Sequence, residues 1–341
     1  MVRAVLEKRQ AFRDALVKWF ARDGKDYPWR RTRDGYAVLV SEVMLQQTQL
    51  ATVLGKAYYT RFLATFPDVA ALAAADDERL LKAWEGLGYY RRARMLRATA
   101  RAVIARHGGT FPQGVAELLE LPGIGPYTAG ALRAFAFDLP GAVVDGNVAR
   151  VLARLMDFSA PVDTAPGQRQ LAAWAQALED TNHPRVYNSA LMELGQTLCR
   201  PGVPACGACP VAEFCQAQAP ERLPQKRQKI VITAVDEHAL WLRDSTGRLL
   251  LHCEDGQRRT GLWKLPTRAA GEISHLPVVA QQRYAITRYR VRLRVHAGSG
   301  NGFALGQGEA WQAPAAVARL PMPAPFRKVV AKLLEESTNR M

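Results

Sequence analysis

No apolar run in this 341-residue chain is long enough to cross a bilayer as a helix. Residues 1–20 space their apolar side chains like an amphipathic helix and show neither a hydrophobic signal core nor a small-residue cleavage site, so a cytoplasmic protein is expected. Internal repeats and low-complexity tracts are absent, which removes solenoid and fibrous classes. Cysteine is scarce and odd in number. Of five, four fall between 199 and 215 and Cys253 stands apart, a pattern that suits a metal or cluster site and not a disulfide framework. Acidic residues are outnumbered, 31 against 46 basic, leaving a formal charge of +15. That imbalance favours a polyanionic partner such as nucleic acid over solubility alone.

What is present reads as a globular chain, 48% hydrophobic and 23% charged, with a length that suggests two domains. Residues 1–220 run as helix after helix, rich in Ala, Leu and Arg and broken at "HGGTFPQG" and "LPGIGP". A polar, basic linker at 221–229 leads to residues 230–341, where "IVITAVDEHALWLRD", "RLLLHCED" and "ITRYRVRLRV" alternate or run apolar in short segments and "FRKVVAKLLEES" closes as a helix. The second domain is therefore expected to mix α and β. In "ITRYRVRLRV", period two puts Tyr289, Val291, Leu293 and Val295 toward the core and Arg288, Arg290, Arg292 and Arg294 outward. Such a face is either a solvated edge that resists sheet pairing or an attractor of phosphates.

The cysteines of "CRPGVPACGACPVAEFC", Cys199, Cys206, Cys209 and Cys215, are spaced C-x6-C-x2-C-x5-C. Four thiolates close together can hold zinc or a 4Fe–4S cluster, and ligand type alone does not separate them, although a zinc ribbon would pair two CxxC knuckles. Unliganded thiols this dense would oxidise. Cys253 reads as a small apolar residue. The stretch "ELLELPGIGPYTAGALRAFAF" reads as helix, turn, helix, in which Gly123 and Gly125 let the backbone turn tightly. Taken alone, that turn is either a simple helix break or a grip on a phosphate through main-chain N–H groups.

Five motifs occur in order: "SEVMLQQTQ" (41–49), "GLGYYRRAR" (86–94), "LPGIGPYTAG" (121–130), "VVDGNVARVLAR" (143–154) and the cysteine spacing. Together they resemble the helix-hairpin-helix DNA glycosylases with an iron–sulfur cluster, and among them the adenine glycosylases of the MutY type, over residues 10–220. The resemblance implies a mostly α catalytic domain with a 4Fe–4S loop on the four cysteines. It also implies that Glu42 and Asp145 are the catalytic pair. Breaking a purine N-glycosidic bond asks for one carboxyl that protonates the leaving base and one that stays ionised beside the oxocarbenium-like sugar. By resemblance Glu42 is the acid at N7 and Asp145 the stabiliser or nucleophile at C1′. Burial is expected to raise the acid's pKa, and donors around Asp145 to keep it charged.

Position 127 is Tyr127, where related lyase-type enzymes carry the lysine that an imine at C1′ requires. In the family such a tyrosine bonds the catalytic carboxylate, Asn147 orients Asp145, Glu193 contacts the flipped adenine, and Trp29 and Arg30 line the base pocket. Leu45, Gln47 and Tyr89 match residues that fill the gap left by the flipped base and support its partner, core packing being the alternative for Tyr89. Arg91, Arg92 and Arg94 wrap a helix and cannot all face one core, so phosphate contacts are expected of them.

Residues 230–341 resemble the family's Nudix-like domain, with "TGLWKLPT" (260–267) as a shortened form of one segment and no Nudix glutamate box. Where the family reads 8-oxoguanine with Phe-Ser-His, this chain has Ile286, Thr287 and Arg288. The lesion carries a hydrogen on N7 and asks for an acceptor. Thr287 can accept, whereas Arg288 only donates and suits the O6/N7 edge of ordinary guanine. Altered discrimination between the two is expected. The implied partner is double-stranded DNA with an adenine mispaired with 8-oxoguanine or guanine, bound by a monomer in the cytoplasm at the nucleoid. The alternatives are a lyase-type glycosylase, against which Tyr127 and "VDGN" speak, and a non-catalytic iron–sulfur DNA-binding protein, against which the carboxylate pair speaks.

Overall fold

The computed structural model describes residues 2–227, 231–256, 259–299 and 304–338. Among them no helix is long and apolar enough to cross a membrane. Neither of the two compact units is a single stretch of chain: Met1–Gln47, Asp68–Ala73 and Ala98–Lys229 form one, and Thr48–Pro67, Ala74–Arg97 and Ile230–Met341 form the other.

In the first unit, helix Arg9–Asp23 presents Phe12, Leu16 and Trp19 on one face. These pack with Leu152 and Leu155 of Gly146–Leu155, Leu171 and Leu178 of Ala165–Leu178, and Tyr187 and Leu191 of Pro184–Thr197. Phe214, inside the cysteine loop, meets Phe12 edge-on at 5.9 Å, which ties that loop to the core. Helix Gly35–Leu45 starts where Asp34 accepts from the Tyr36 and Ala37 amides, and it is buried from Gly35 to Met44. Its sequence "GYAVLVSEVML" is apolar on nearly every side, as an interior helix must be, and Glu42 is its one acidic residue. Helix Pro126–Ala131 runs on into a wider turn, Leu132–Ala136. A Cβ on Gly130 would stand 2.6 Å from the Ala142 carbonyl oxygen, so the chain leading to Asp145 crosses this helix at backbone contact.

The second unit is mixed α and β. Its strands are β1 (Thr233–Trp241), β2 (Leu249–Cys253), β3 (Trp263–Lys264), β4 (Thr267–Arg268), β5 (Val278–Ile286), β6 (Tyr289–Ala297) and β7 (Glu309–Gln312). One sheet has the order β4-β1-β6-β5, with β1 parallel to β6, and the other the order β3-β2-β7. Thr287 and Arg288 form the two-residue turn between β5 and β6. The alternation expected of β6 holds: Val291, Leu293 and Val295 are buried, Arg290 and Arg292 exposed, and Arg294 half-buried. Phe326, Val329 and Val330 of helix Ala324–Thr338 cover Leu293 and Val295.

Helices from 48–67 and 74–97 belong to this same unit. Glu85 meets Lys82 Nζ at 2.7 Å and Arg327 Nε at 2.6 Å, and the Tyr90 hydroxyl donates to the Met322 carbonyl at 3.3 Å.

Candidate active site

Glu42 and Asp145 lie in the same unit and close enough that the charge of Asp145 raises the pKa of Glu42. Glu42 is 5% exposed, and its Oε2 accepts from the Tyr127 hydroxyl at 2.6 Å. Burial drives the Glu42 carboxyl up to about 7, the Tyr127 hydrogen bond draws it back, and Asp145 adds a further push upward. Tyr127 is raised well above its ordinary value, by burial first and then by both carboxylates, so its hydroxyl stays protonated and donates.

Asp145 caps helix Gly146–Leu155. Its Oδ1 accepts from the Asn147 amide at 2.9 Å and the Val148 amide at 2.7 Å, and its Oδ2 from Asn147 Nδ2 at 2.8 Å. These donors favour the charged form, yet burial outweighs them and Asp145 too is raised from its ordinary value. The expected division between the carboxyls is thus one of degree: Asp145 has three N–H donors, Glu42 a single hydroxyl.

The arrangement continues beyond the residues picked out by sequence. Asn147 Oδ1 accepts from Arg150 Nη2 at 3.0 Å, and Arg150 also donates to the Gly195 carbonyl at 2.6 Å and, through Nε, to the Cys199 carbonyl at 2.7 Å. Arg150 therefore joins the Asp145 support to the first cysteine of the loop. The signal for it was the spacing of Asn147, Arg150 and Arg154, which puts three polar side chains on one face of this helix. Arg154, one turn on and 1% exposed, donates to Cys199 Sγ at 3.3 Å and to the Arg200 and Gly202 carbonyls.

Cys199 and Cys209 are half-buried, Cys206 and Cys215 exposed. Among the described residues no group of three or more His, Cys, Asp or Glu stands in the arrangement of a metal site. The thiols nonetheless act on one another: burial raises Cys209 to about 11, and the other three cysteines add to that rise. Four sulfurs that repel each other's ionisation, beside an arginine N–H, form a donor set that a cationic cluster would fit, since metal binding removes the thiol protons.

Arg30 Nη2 meets Glu193 Oε2 at 2.8 Å, with the guanidinium over the Tyr27 and Phe20 rings at 4.6 and 5.0 Å. Tyr27 in turn stacks on Trp29 at 5.3 Å. Glu193 is fully buried, and its Oε1 has no hydrogen-bond partner among the described residues. Leu45 ends its helix half-buried, and exposed Gln47 has φ 56°. Gly123 has φ 79°, which favours glycine, while a side chain on Gly125 would meet open space.

In the second unit Tyr89 is 45% exposed with φ 45°, so core packing does not account for it. Arg92 is turned inward, donating to Thr48 Oγ1 at 2.9 Å and to the Leu87 and Gly88 carbonyls. Arg94 donates to the Thr260 carbonyl and pairs with Asp77, whereas Arg91 is exposed. Thr287 and Arg288 are both exposed, Thr287 with φ 50°, a strained value for a β-branched residue.

The HhH-GPD superfamily base excision DNA repair protein profile matches residues 40–176, the span that holds Glu42, Tyr127 and Asp145. The adenine DNA glycosylase of Homo sapiens is 44% identical over 227 residues, 64% of this chain and 41% of that protein, so less than half of the human protein's length is represented here. The adenine DNA glycosylase of Buchnera aphidicola subsp. Baizongia pistaciae is 32% identical over 258 residues, 74% of this chain and 71% of its own. A solved thermostable thymine-DNA glycosylase superposes with a TM-score of 0.56 at 29% identity, covering 62% of this chain and 97% of that one. With 71% of the Buchnera relative's own length matched at 32% identity, this chain belongs to the adenine DNA glycosylase family.

Proposed function

We propose that this protein is a base-excision-repair glycosylase that hydrolyses the bond between adenine and its deoxyribose in double-stranded DNA. The reading rests on the hydrogen bond of 2.6 Å from Tyr127 to a buried carboxyl raised to about 7, beside a second carboxyl with three N–H donors. Near neutral pH a large share of Glu42 is protonated and can pass its proton to N7 of adenine. The C1′–N9 bond then breaks with its electron pair going to the purine, and Asp145 meets the positive charge at C1′ or bonds to it. Water adds its oxygen to C1′, and its proton returns to a carboxylate.

The base must first leave the stack, at a cost of a few kcal/mol. The unpartnered Glu193 Oε1 can accept from its amino group, with Trp29 and Arg30 around the ring. Leu45, Gln47 and Tyr89 fill and support the vacated stack, and the left-handed backbone of Gln47 and Tyr89 suits residues held in a constrained working conformation. The Gly123–Gly125 turn and Arg91 take phosphates, while Arg92 and Arg94 shape the protein around them.

Cys199, Cys206, Cys209 and Cys215 would hold a 4Fe–4S cluster, which orders its loop and does not touch the base. Residues 1–220 then form the catalytic domain, 221–229 a linker and 230–341 a Nudix-like domain. The last reads the base opposite adenine, 8-oxoguanine or guanine, through Thr287 and Arg288. The protein acts as a monomer at the nucleoid. The lyase reading lacks its amine, because Tyr127 stands there with its hydroxyl engaged by Glu42.

Single-turnover adenine release from duplexes with 8-oxoguanine, guanine or cytosine opposite the adenine tests this reading. Glu42→Gln should slow release at least about 100-fold. Unchanged release would overturn the assignment of the acid.

A further inference from the structure

Arg185 lies in the first turn of helix Pro184–Thr197, where the helix dipole disfavours positive charge. Its surroundings answer that charge with carbonyl oxygens. The half-buried side chain donates from Nη2 to the Arg30 carbonyl at 2.7 Å and to the Thr32 carbonyl at 2.7 Å, and from Nη1 to the Phe135 carbonyl. The Arg185 amide, a first-turn donor with no acceptor inside its own helix, donates to Asp138 Oδ1 at 3.2 Å. Arg33 meets the other oxygen of the same carboxylate at 3.4 Å.

These bonds join three pieces of chain that carry residues of the proposed base pocket. Pro28–Arg30 is a single 3-10 turn, closed by the Arg31 amide on the Pro28 carbonyl at 3.2 Å, and it holds Trp29 and Arg30. One such turn has little rigidity of its own. Phe135 belongs to the wider turn that continues the helix carrying Tyr127. Glu193 follows Arg185 on the same helix, about 12 Å along its axis. That helix therefore grips the 28–32 segment twice: Arg185 holds its backbone, and Glu193 Oε2 meets the Arg30 guanidinium at 2.8 Å. The first contact sets the position from which Arg30 makes the second.

We propose that Arg185 is a positioning residue of the adenine pocket. It fixes the backbone of Arg30, and through the Arg30 side chain it orients Glu193, whose Oε1 is the proposed acceptor for the adenine amino group. Its effect on catalysis rests on the proposed release of adenine; its grip on the 28–32 segment does not. Arginine serves here by geometry as well as charge. Nη2 carries two hydrogens in a fixed plane and gives one to each of two carbonyls, whereas a lysine ammonium has no such plane. Because the site is half-buried, water can replace the lost donors, so the fold survives removal of the guanidinium while the segment is held less firmly.

The test compares the full chain with Arg185→Met and Arg185→Lys in single-turnover release from duplexes that carry either adenine or unsubstituted purine, which lacks the amino group, at one site. A pocket with an acceptor aimed at that group prefers adenine. Arg185→Met should slow adenine release at least about tenfold and purine release less, lowering the adenine-to-purine rate ratio at least about fivefold. Arg185→Lys should fall between it and the wild type. Loss of folded protein would lower both rates equally, so an unchanged ratio in Arg185→Met overturns the proposal. Amide exchange gives a readout that needs no reaction. The Arg30 and Arg31 amides should exchange at least about tenfold faster in Arg185→Met, with helix Gly146–Leu155 unaltered. Exchange at the wild-type rate overturns the proposal as well. If Arg185→Met does not fold, Arg185→Lys decides by the same two measures. Should the wild type release no base from any duplex, the proposed reaction has failed, and amide exchange alone decides whether Arg185 holds the segment.

Discussion

Gly195 lies against Asn147 so closely that a Cβ on it would stand 2.7 Å from Asn147 Cβ and 3.0 Å from its carbonyl oxygen. Backbone cannot yield there without moving the start of the helix that Asp145 caps. Gly195→Ala should therefore lower the single-turnover excision rate at least about tenfold through misplacement of the carboxylate. Affinity for duplex DNA, measured by anisotropy, should stay within about threefold, since the residues proposed to take phosphates, the Gly123–Gly125 turn and Arg91, do not include Gly195.

The excision rate should fall as pH rises through about 7, because in the proposed reaction Glu42 is the acid and must hold a proton. The Tyr127 hydrogen bond favours the ionised carboxyl. Tyr127→Phe should therefore move the alkaline limb to higher pH, and a limb that moves down would refute the pairing.

Stability should depend on pH through the same group. Below about 4.5, its ordinary value, Glu42 is protonated both folded and unfolded and costs nothing. As pH rises, the unfolded chain sheds the proton first and is thereby stabilised, and the loss to the fold is complete above about 7, roughly 3 kcal/mol. Glu42→Gln should melt higher than the wild type at alkaline pH and level with it in acid, by calorimetry.

Arg150 spans Asn147 Oδ1 and the Cys199 carbonyl with two arms of one planar group. Lysine keeps the charge but not the fork. Arg150→Lys should reduce excision at least about tenfold and, if the proposed cluster is what the four cysteines hold, speed its loss of iron to a chelator. Retention of both properties would mean that the bridge does not position Asp145.

Glu85 answers two cations, Lys82 and Arg327, and is 14% exposed. Glu85→Ala should cost about 2 kcal/mol in urea unfolding, less than a fully buried pair because Lys82 reaches solvent. A chain ending at residue 220 should be destabilised as well, since it strips from Tyr90 the Met322 carbonyl it bonds.

Local patterns carried much of this molecule. The alternation of β6 follows from period two, and Asp145 as a helix cap follows from an aspartate before "GNVARVLAR". The resemblance implies that a tyrosine at 127 bonds the catalytic carboxylate, and the Tyr127 hydroxyl donates to Glu42. What did not show were the contacts between chain-distant residues that no motif links. Arg92 and Arg94 looked like one basic run, yet Thr48 and Thr260 occupy them. Neither the Gly195 approach nor the hydrogen bond from Tyr284 to Glu237 leaves a trace in spacing.

By itself the sequence determined the inventory: which side chains can give or accept a proton, four thiols within one loop, a tyrosine where an imine would need lysine, and donors in place of an acceptor at Arg288. Those are properties of residue type and of neighbours along the chain. Tertiary structure alone decided the working state of that inventory. A carboxyl near its solution value becomes an acid near 7 only when folding removes its water, and burial is a sum over contacts from every part of the chain.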